Sequence, residues 1–329
     1  MSAVNMNSTS TDSVGLSLVL VALRTCFIAI IALLIISGNI FSIAVTRRVS
    51  NLAETTKILM TSLAVYDLLI GFLATLSIAA SAMDRWPVGD LGCELFSLSS
   101  TFCFGMSILS IVCINIERFL AVTRPYKFPV WCTPSRVKMA VVFLAIISLA
   151  FSIAVKFGAK ALPEYDKIKL ICDYSNISTF MHYGALFLID IVPTSTMSLI
   201  YYRLIKISRQ HEQRLNQNGN NEANNDNKAL KTFLVVTLTF AGCYTPFFTM
   251  RVVETTSGVP APDWVQFLTY WLLVSNSMFN VIIYCLFNKV FRQTAMKILL
   301  ERFPCCNRSV APLEVIVLKA VDTIGSYSK

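Results

Sequence analysis

Asp67 stands in the stretch Leu63-Ala64-Val65-Tyr66-Asp67, Asp190 three residues before Pro193, and the pair Glu117-Arg118 at the end of a long apolar run. Asn39, Asn276-Ser277 and Asn280 have similarly apolar surroundings. A charge in such a place is costly and is kept where it binds an ion, moves a proton or holds a switch. A carboxylate beside a guanidinium suits a switch, because the planar fork of arginine presents several fixed donors. A carboxylate near hydroxyls and amides suits a hard cation, which prefers oxygen ligands. The plainer alternative is that these groups tie helices together by hydrogen bonds, a reading of equal weight for Asn39. No catalytic constellation emerges. His182 and His211 are the only histidines, no phosphate or dinucleotide loop is present, and no Ser/His/Asp set can be assembled. An enzyme is not expected.

The elements that must position these residues are apolar runs at 25–46, 56–83, 93–122, 137–155, 179–205, 229–253 and 264–287. Each meets the roughly 20 residues that a helix needs to cross a bilayer. They lack period-two alternation and are too long for barrel strands, so helices alone satisfy their backbone groups. The stretch 14–23 extends the first run outward, and no Lys or Arg precedes it as a signal peptide would require. Composition agrees: 14% of the 329 residues are charged and 55% hydrophobic, whereas soluble domains carry about 25% charged residues. The expected fold class is all-α, a seven-transmembrane helix bundle with a short amphipathic cytoplasmic helix. Its expected divisions are an extracellular tail (1–17), the bundle (18–288), the amphipathic helix (289–303) and a cytoplasmic tail (304–329).

Positive segments stay cytoplasmic. With the amino terminus outside, the outer segments hold only Arg24, Arg85, Lys156, Lys160, Lys167, Lys169 and Arg251 of the 28 Lys and Arg. That asymmetry favours an extracellular amino terminus and a cytoplasmic carboxyl terminus. The net charge of +9 then reports topology and contact with anionic membrane lipid, and gives no reason to propose a nucleic-acid partner. Asn7-Ser8-Thr9 and Asn176-Ile177-Ser178 are glycosylation acceptor sequences on segments placed outside. Of the ten cysteines, only Cys93 and Cys172 fall at the oxidising face, where a pair is expected to be bridged. Cys305 and Cys306 follow the amphipathic stretch, as palmitoylation sites or as two reduced surface thiols. The Asn-rich segment 216–225 reads as a linker.

Taken in order, these residues are similar to the motifs of the rhodopsin-class G-protein-coupled receptors. Gly38-Asn39 resembles the first-helix signature and Leu63 to Asp67 the second, while Trp86, Cys93 and Cys172 match the extracellular pattern. Glu117-Arg118-Phe119 with Pro125, Pro193 with Tyr201, and Lys228-Ala229-Leu230-Lys231-Thr232 follow. Phe240, then Cys243-Tyr244-Thr245-Pro246, and finally Asn280-Val281-Ile282-Ile283-Tyr284 complete the series. The sequence departs from the family at Val281, where a proline is usual, at Tyr244, where a Trp is usual, at Phe119 in place of Tyr, and in a fourth helix without Trp.

The resemblance implies a plasma-membrane receptor that binds an extracellular ligand and activates a heterotrimeric G protein. It implies a switch in which Arg118 pairs with Glu117 and reaches Asp226, with Tyr201 and Tyr284 swinging in when the bundle opens. It implies a pivot at Ile108, Pro193, Phe240, Tyr244 and Pro246, and an allosteric sodium ion on Asp67, Ser107, Asn276 and Asn280. No further cofactor is implied. High activity without ligand would be compatible with Val281 and Tyr244.

For the ligand, the family's amine receptors carry a carboxylate seven residues after the third-helix cysteine, and Ser100 stands there. This weighs against an amine, although Tyr244, Phe247, Phe248 and Trp271 resemble an amine-receptor cage and Asp190 is a conceivable substitute counter-ion. A small molecule is expected among Ser100, Thr101, Phe104, Phe248, Arg251, Tyr270 and Trp271, and a peptide would also rest on the loop around Cys172. Arg251 would meet an acidic ligand or an outer-loop acid. No Lys lies between Arg251 and Lys289, which excludes a retinal Schiff base. A transporter or channel using Asp67 and Asp190 as an ion path is the other class considered. It would be expected to show inverted repeats, which are not found.

Overall fold

A computed structural model describes residues 8–50, 52–159, 162–174, 178–217 and 224–302. Helix α1 is Ser8–Arg48, α2 Glu54–Met83, α3 Gly89–Thr123 and α4 Pro134–Gly158. Residues 179–217 form α5, in which a π-helical segment, Leu186–Ile191, separates Thr179–Ala185 from Val192–Gln217. Helix α6 is Asn224–Ser257, α7 Asp263–Phe287 and α8 Lys289–Arg302. Six of these hold segments long and apolar enough to cross a bilayer, in α1 to α5 and α7. The 34 residues of α6 exceed the length required. Helical backbone in α1 begins at Ser8, inside the segment read from sequence as a tail.

Local chemistry explains the bounds. Thr133 caps α4, its hydroxyl accepting from the Arg136 amide, with Pro134 at the first helical position. Asp84 ends α2 in the left-handed region with φ 49°. Pro246 lies inside α6, where it removes one backbone donor and permits a bend. In α7, Val281 keeps its amide and the α-helix runs through it without a break.

The packing order is α1 on α2 and α7, α2 on α3, α3 on α4 and α5, α5 on α6, and α6 on α7. Two buried apolar clusters fill the bundle. One, including Leu63, Ile111, Met197, Phe240 and Tyr284, lies toward Arg118; the other, including Ile35, Phe96, Leu170 and Trp271, lies toward the disulfide. The opposite faces carry exposed Met139, Val142, Phe143 and Ile146 on α4, as expected where the surrounding solvent is lipid. Helices α3 and α4 approach closely at Gly105, where an added Cβ would stand 2.3 Å from the Ser148 hydroxyl. That hydroxyl donates to the Phe102 carbonyl at 2.9 Å. Asn39 ties α1 to α7, its amide donating to the carbonyls of Ile35 and Ser277 at 2.9 and 3.0 Å.

Between α4 and α5 a small hairpin pairs β1, Glu164–Asp166, antiparallel with β2, Ile171–Asp173, with Tyr165 opposite Cys172. The Asp166 carboxylate accepts from the amides of Ile168 and Lys169 and so builds the turn. Cys172 is bridged to Cys93 on α3. The Tyr165 hydroxyl donates to the Ala80 carbonyl of α2 at 3.1 Å, so the hairpin is fixed over the end of the bundle from two sides.

Candidate functional site

Below the hairpin lies a cavity of about 160 Å³. Helix α3 contributes Ser97, Ser100, Thr101, Phe104, Gly105 and Ile108 to its wall. Ile171, Cys172, Asp173 and Tyr174 close it from the hairpin side, Ile189 enters from α5, Tyr244, Phe247 and Phe248 from α6, and Tyr270 and Leu273 from α7. Its aromatic rings support one another. Phe247 meets Phe248 and Tyr270 edge to face at 5.6 and 5.9 Å, and Tyr244 stacks on Phe240 at 4.4 Å. Six residues expected in the pocket therefore line it: Ser100, Thr101, Phe104, Phe247, Phe248 and Tyr270.

Three others are placed elsewhere. Trp271 lines a smaller neighbouring cavity and its indole N–H donates to the Lys169 carbonyl at 3.2 Å. Arg251 turns from the pocket to Glu254, one helical turn on, at 3.1 Å, and to His182 Nε2 at 3.1 Å. Its acidic partner is thus on its own helix and not in an outer loop. Asp190, 4% exposed, accepts from Thr245 at 3.1 Å and Thr194 at 3.4 Å, bridging α5 to α6 beside the cavity. Its α6 partner is Thr245 and not the neighbouring Tyr244. Ile189 takes the cavity-facing position.

Sequence reasoning missed the hairpin's contribution. Asp173 receives the Lys169 ammonium on one carboxylate oxygen and the Tyr174 amide on the other. Asp166 lies 3.1 Å from the same ammonium. Burial alone would lower the Lys169 pKa, and the Asp173 and Asp166 carboxylates outweigh it, so the group is held above the ordinary lysine value. Burial would raise Asp173, and Lys169 followed by Arg251 outweighs that, so its carboxyl is held below the usual range. A raised base stabilises at pH below its unfolded value and loses that contribution as pH rises through its folded value; a lowered acid loses its contribution as pH falls. Thermal unfolding of the purified chain should therefore show a plateau in Tm between roughly pH 5 and pH 9, with decline on both sides. Lys169→Met should flatten the alkaline decline, and an unchanged alkaline limb would show that this ammonium contributes nothing.

In the middle of the bundle Asp67 is fully buried. Ser107 donates to one of its oxygens at 2.7 Å and Asn280 to the other at 2.9 Å. Ser277, absent from the set named from sequence, is a further hydrogen-bonding neighbour. Asn276 is 2% exposed, and its amide nitrogen has no partner among the described residues. One carboxylate with two hydroxyl oxygens is a ligand set that suits a hard cation, whereas the unpaired Asn276 N–H group is itself a donor and cannot ligate one. Asp67 and Asp190 belong to separate hydrogen-bonded sets.

At the far end Glu117 is 4% exposed. Its carboxylate accepts from the hydroxyls of Thr55 and Thr56 on α2 at 2.9 and 2.8 Å, and Arg118 Nε approaches its other oxygen at 3.5 Å. The tie to α2 was not legible, since Thr55 and Thr56 look like ordinary helix-start residues. The Arg118 side chain is 30% exposed. Tyr284 packs on Phe291 of α8, with ring centroids 5.9 Å apart, and Tyr201 is half-buried. Ile108, Phe240 and Tyr244 share one buried cluster. Asn7, Asn176, Cys305 and Cys306 lie outside the described residues, as does the side chain of Asp226, whose backbone is in α6.

Comparison with known proteins finds that residues 38–284 match the 7 transmembrane receptor (rhodopsin family). Among individual relatives, the chain is 28% identical over 281 residues to the histamine H2 receptor of Homo sapiens, covering 82% of this chain and 77% of that one. It is 28% identical over 278 residues to the histamine H2 receptor of Canis lupus familiaris, covering 80% and 76%. It is 24% identical over 357 residues to octopamine receptor beta-2R of Chilo suppressalis, covering 94% and 87%.

Proposed function

Because the chain belongs to the rhodopsin family of seven-transmembrane receptors, and is thus a multi-pass membrane receptor and not an enzyme, we propose that its extracellular ligand is a small amine. The observation that carries this reading is the aromatic cavity under the hairpin. Its volume of about 160 Å³ is well below the roughly 300 Å³ at which drug-sized pockets begin, and close to that of cavities that take one aromatic ring. Phe104, Phe247 and Phe248 offer ring faces to a cation or an aryl group. Relatives named for histamine and octopamine point the same way. The absence of a carboxylate at Ser100, which argued against an amine, is offset in this reading by Asp173, which lines the cavity from the hairpin.

In this reading the amino terminus and the hairpin face outward. A ligand filling the cavity presses on Tyr244 and Phe248, which sit one helical turn apart around Pro246. That load shifts α6 about its proline and draws it from α3, opening the end that carries Arg118 to a helix of a heterotrimeric G protein. Asp67, Ser107, Ser277 and Asn280 would hold a sodium ion, which supplies charge compensation for the buried carboxylate. Asp67 then bridges α2, α3 and α7 in the closed bundle, and the ion favours that state.

The test is GTP exchange on purified heterotrimeric G proteins, with a panel of single-ring amines that includes histamine and octopamine, in sodium and in potassium buffer. At least one amine should stimulate exchange. Sodium should weaken its potency in the native chain but not in Asp67→Asn. Stimulation by peptides or neutral lipids alone would remove the amine reading, and potency indifferent to sodium in both chains would remove the ion.

A further inference from the structure

Among the described residues lining the cavity, Asp173 is the one carboxylate, and no Lys, Arg or His joins it there. Its position follows from the hairpin. Ser97 on α3 donates to the Cys172 carbonyl at 2.9 Å, which holds Asp173 and Tyr174 over the helical turn that carries Ser100.

The charge around it is unbalanced in a useful direction. Lys169 is 2% exposed and its one ammonium is shared by Asp166 and Asp173, leaving one net negative charge in the hairpin. Arg251 is paired with Glu254 and Lys156 with Glu94, although Arg251 still acts on Asp173. A cation entering the cavity meets a carboxylate-bearing residue in its lining and, among the described residues, no lining cation. Tyr174, next in the chain, lines the same cavity. An ammonium brings three donors and no acceptor, which suits a carboxylate.

We propose that Asp173 is the counter-ion for the ligand ammonium, supplied by the hairpin in place of the carboxylate that α3 lacks at Ser100. This rests on the amine reading above. On binding, the ligand shares Asp173 with Lys169, and Lys169 shifts its weight to Asp166. The cation therefore docks at the roof of the cavity and the ring points down toward Tyr244.

The experiment measures potency of histamine and octopamine in the exchange assay, with receptor at the surface quantified by an amino-terminal tag. Asp173→Asn should lower the potency of the responding amine by at least about 30-fold, as expected for loss of a charge-assisted hydrogen bond to the ligand. Glu164→Gln removes an exposed carboxylate of the same hairpin that neither lines the cavity nor pairs with Lys169, and should change potency by less than about threefold. Adding Ser100→Asp to the Asp173→Asn chain should restore potency to within about tenfold, because both positions face one cavity, and a loop that had simply failed to fold would not be rescued this way. Equal losses in Glu164→Gln and Asp173→Asn, or unchanged potency in Asp173→Asn, would overturn the assignment and leave the amine reading standing. A native chain silent to every amine but driven by a neutral ligand would overturn both.

Discussion

Replacing Arg118 with alanine is expected to reduce ligand-stimulated GTP exchange by at least about 100-fold while ligand affinity changes by less than about threefold, since charge-assisted contacts to a docking partner are lost and the cavity is untouched. The asymmetry of the ionic clasp is the reason. Glu117 is held by two threonine hydroxyls of α2 at 2.8 to 2.9 Å, whereas Arg118 meets it only at 3.5 Å and keeps its side chain 30% exposed. The carboxylate is an anchor and the guanidinium is the movable part. Once α6 has swung, its unused N–H groups face the opened cleft, where the unpaired carbonyls at the carboxyl end of a docking helix are suitable acceptors. Arg118→Lys should fall between the two, because an ammonium keeps the charge and loses the fork. Glu117→Gln removes the charge that restrains Arg118 but leaves a carbonyl oxygen for the threonines. It should raise ligand-independent exchange several-fold, the effect of about 1 kcal/mol on a closed state. Full stimulated exchange in the alanine variant would show that the guanidinium is only a cytoplasmic charge obeying the positive-inside bias.

Breaking the bridge between Cys93 and Cys172 should be the most damaging change at the opposite end. The bridge closes a loop of 79 residues, for which loop entropy gives about 4 kcal/mol of stabilisation. The consequence for ligand binding is larger than for folding alone. Ile171, Asp173 and Tyr174 all line the cavity and all hang on Cys172. Without the bridge the hairpin retains the Tyr165 to Ala80, Ser97 to Cys172 and Trp271 to Lys169 hydrogen bonds, each contributing only about 1 kcal/mol. Cys93→Ser with Cys172→Ser should therefore lower Tm and weaken amine binding by more than about tenfold, while any exchange that occurs without ligand persists, because the hairpin and the Arg118 clasp share no contact. Saturation binding and differential scanning on the same preparation separate the two effects. Undiminished affinity in the double variant would mean that the hairpin is positioned by packing alone.

Several parts of the molecule were legible in the chain alone because each depends on a local rule. Lipid cannot satisfy backbone groups, so each crossing segment must be apolar for about 20 residues and helical, and the spans stand out whatever their packing. Charge is expensive in those spans, which singles out Asp67, Asp190 and Glu117 one residue at a time. The reach of Ser107 and Asn280 to Asp67 was implied by a family resemblance and not by spacing.

Only the tertiary structure decided the direction in which side chains face. The π-helical segment before Pro193 lets the Val192 amide reach the Phe187 carbonyl, five residues back. One extra residue in a turn rotates the remainder of the helix by about 100°. In this segment Ile189 faces the cavity and Asp190 faces Thr245, a choice that no periodicity count in the sequence contains. Arg251 likewise sits at a pocket-facing depth yet pairs along its own helix with Glu254. The carboxylate that reaches the cavity comes from a three-residue strand too short to carry a pattern. Composition and span length thus determined that this is a helical membrane protein with polar groups in its spans, whereas rotation about the helix axes and a bridged hairpin decided which side chains line the cavity. Burial rules act on each residue separately, and facing is set by long-range packing that no single residue encodes.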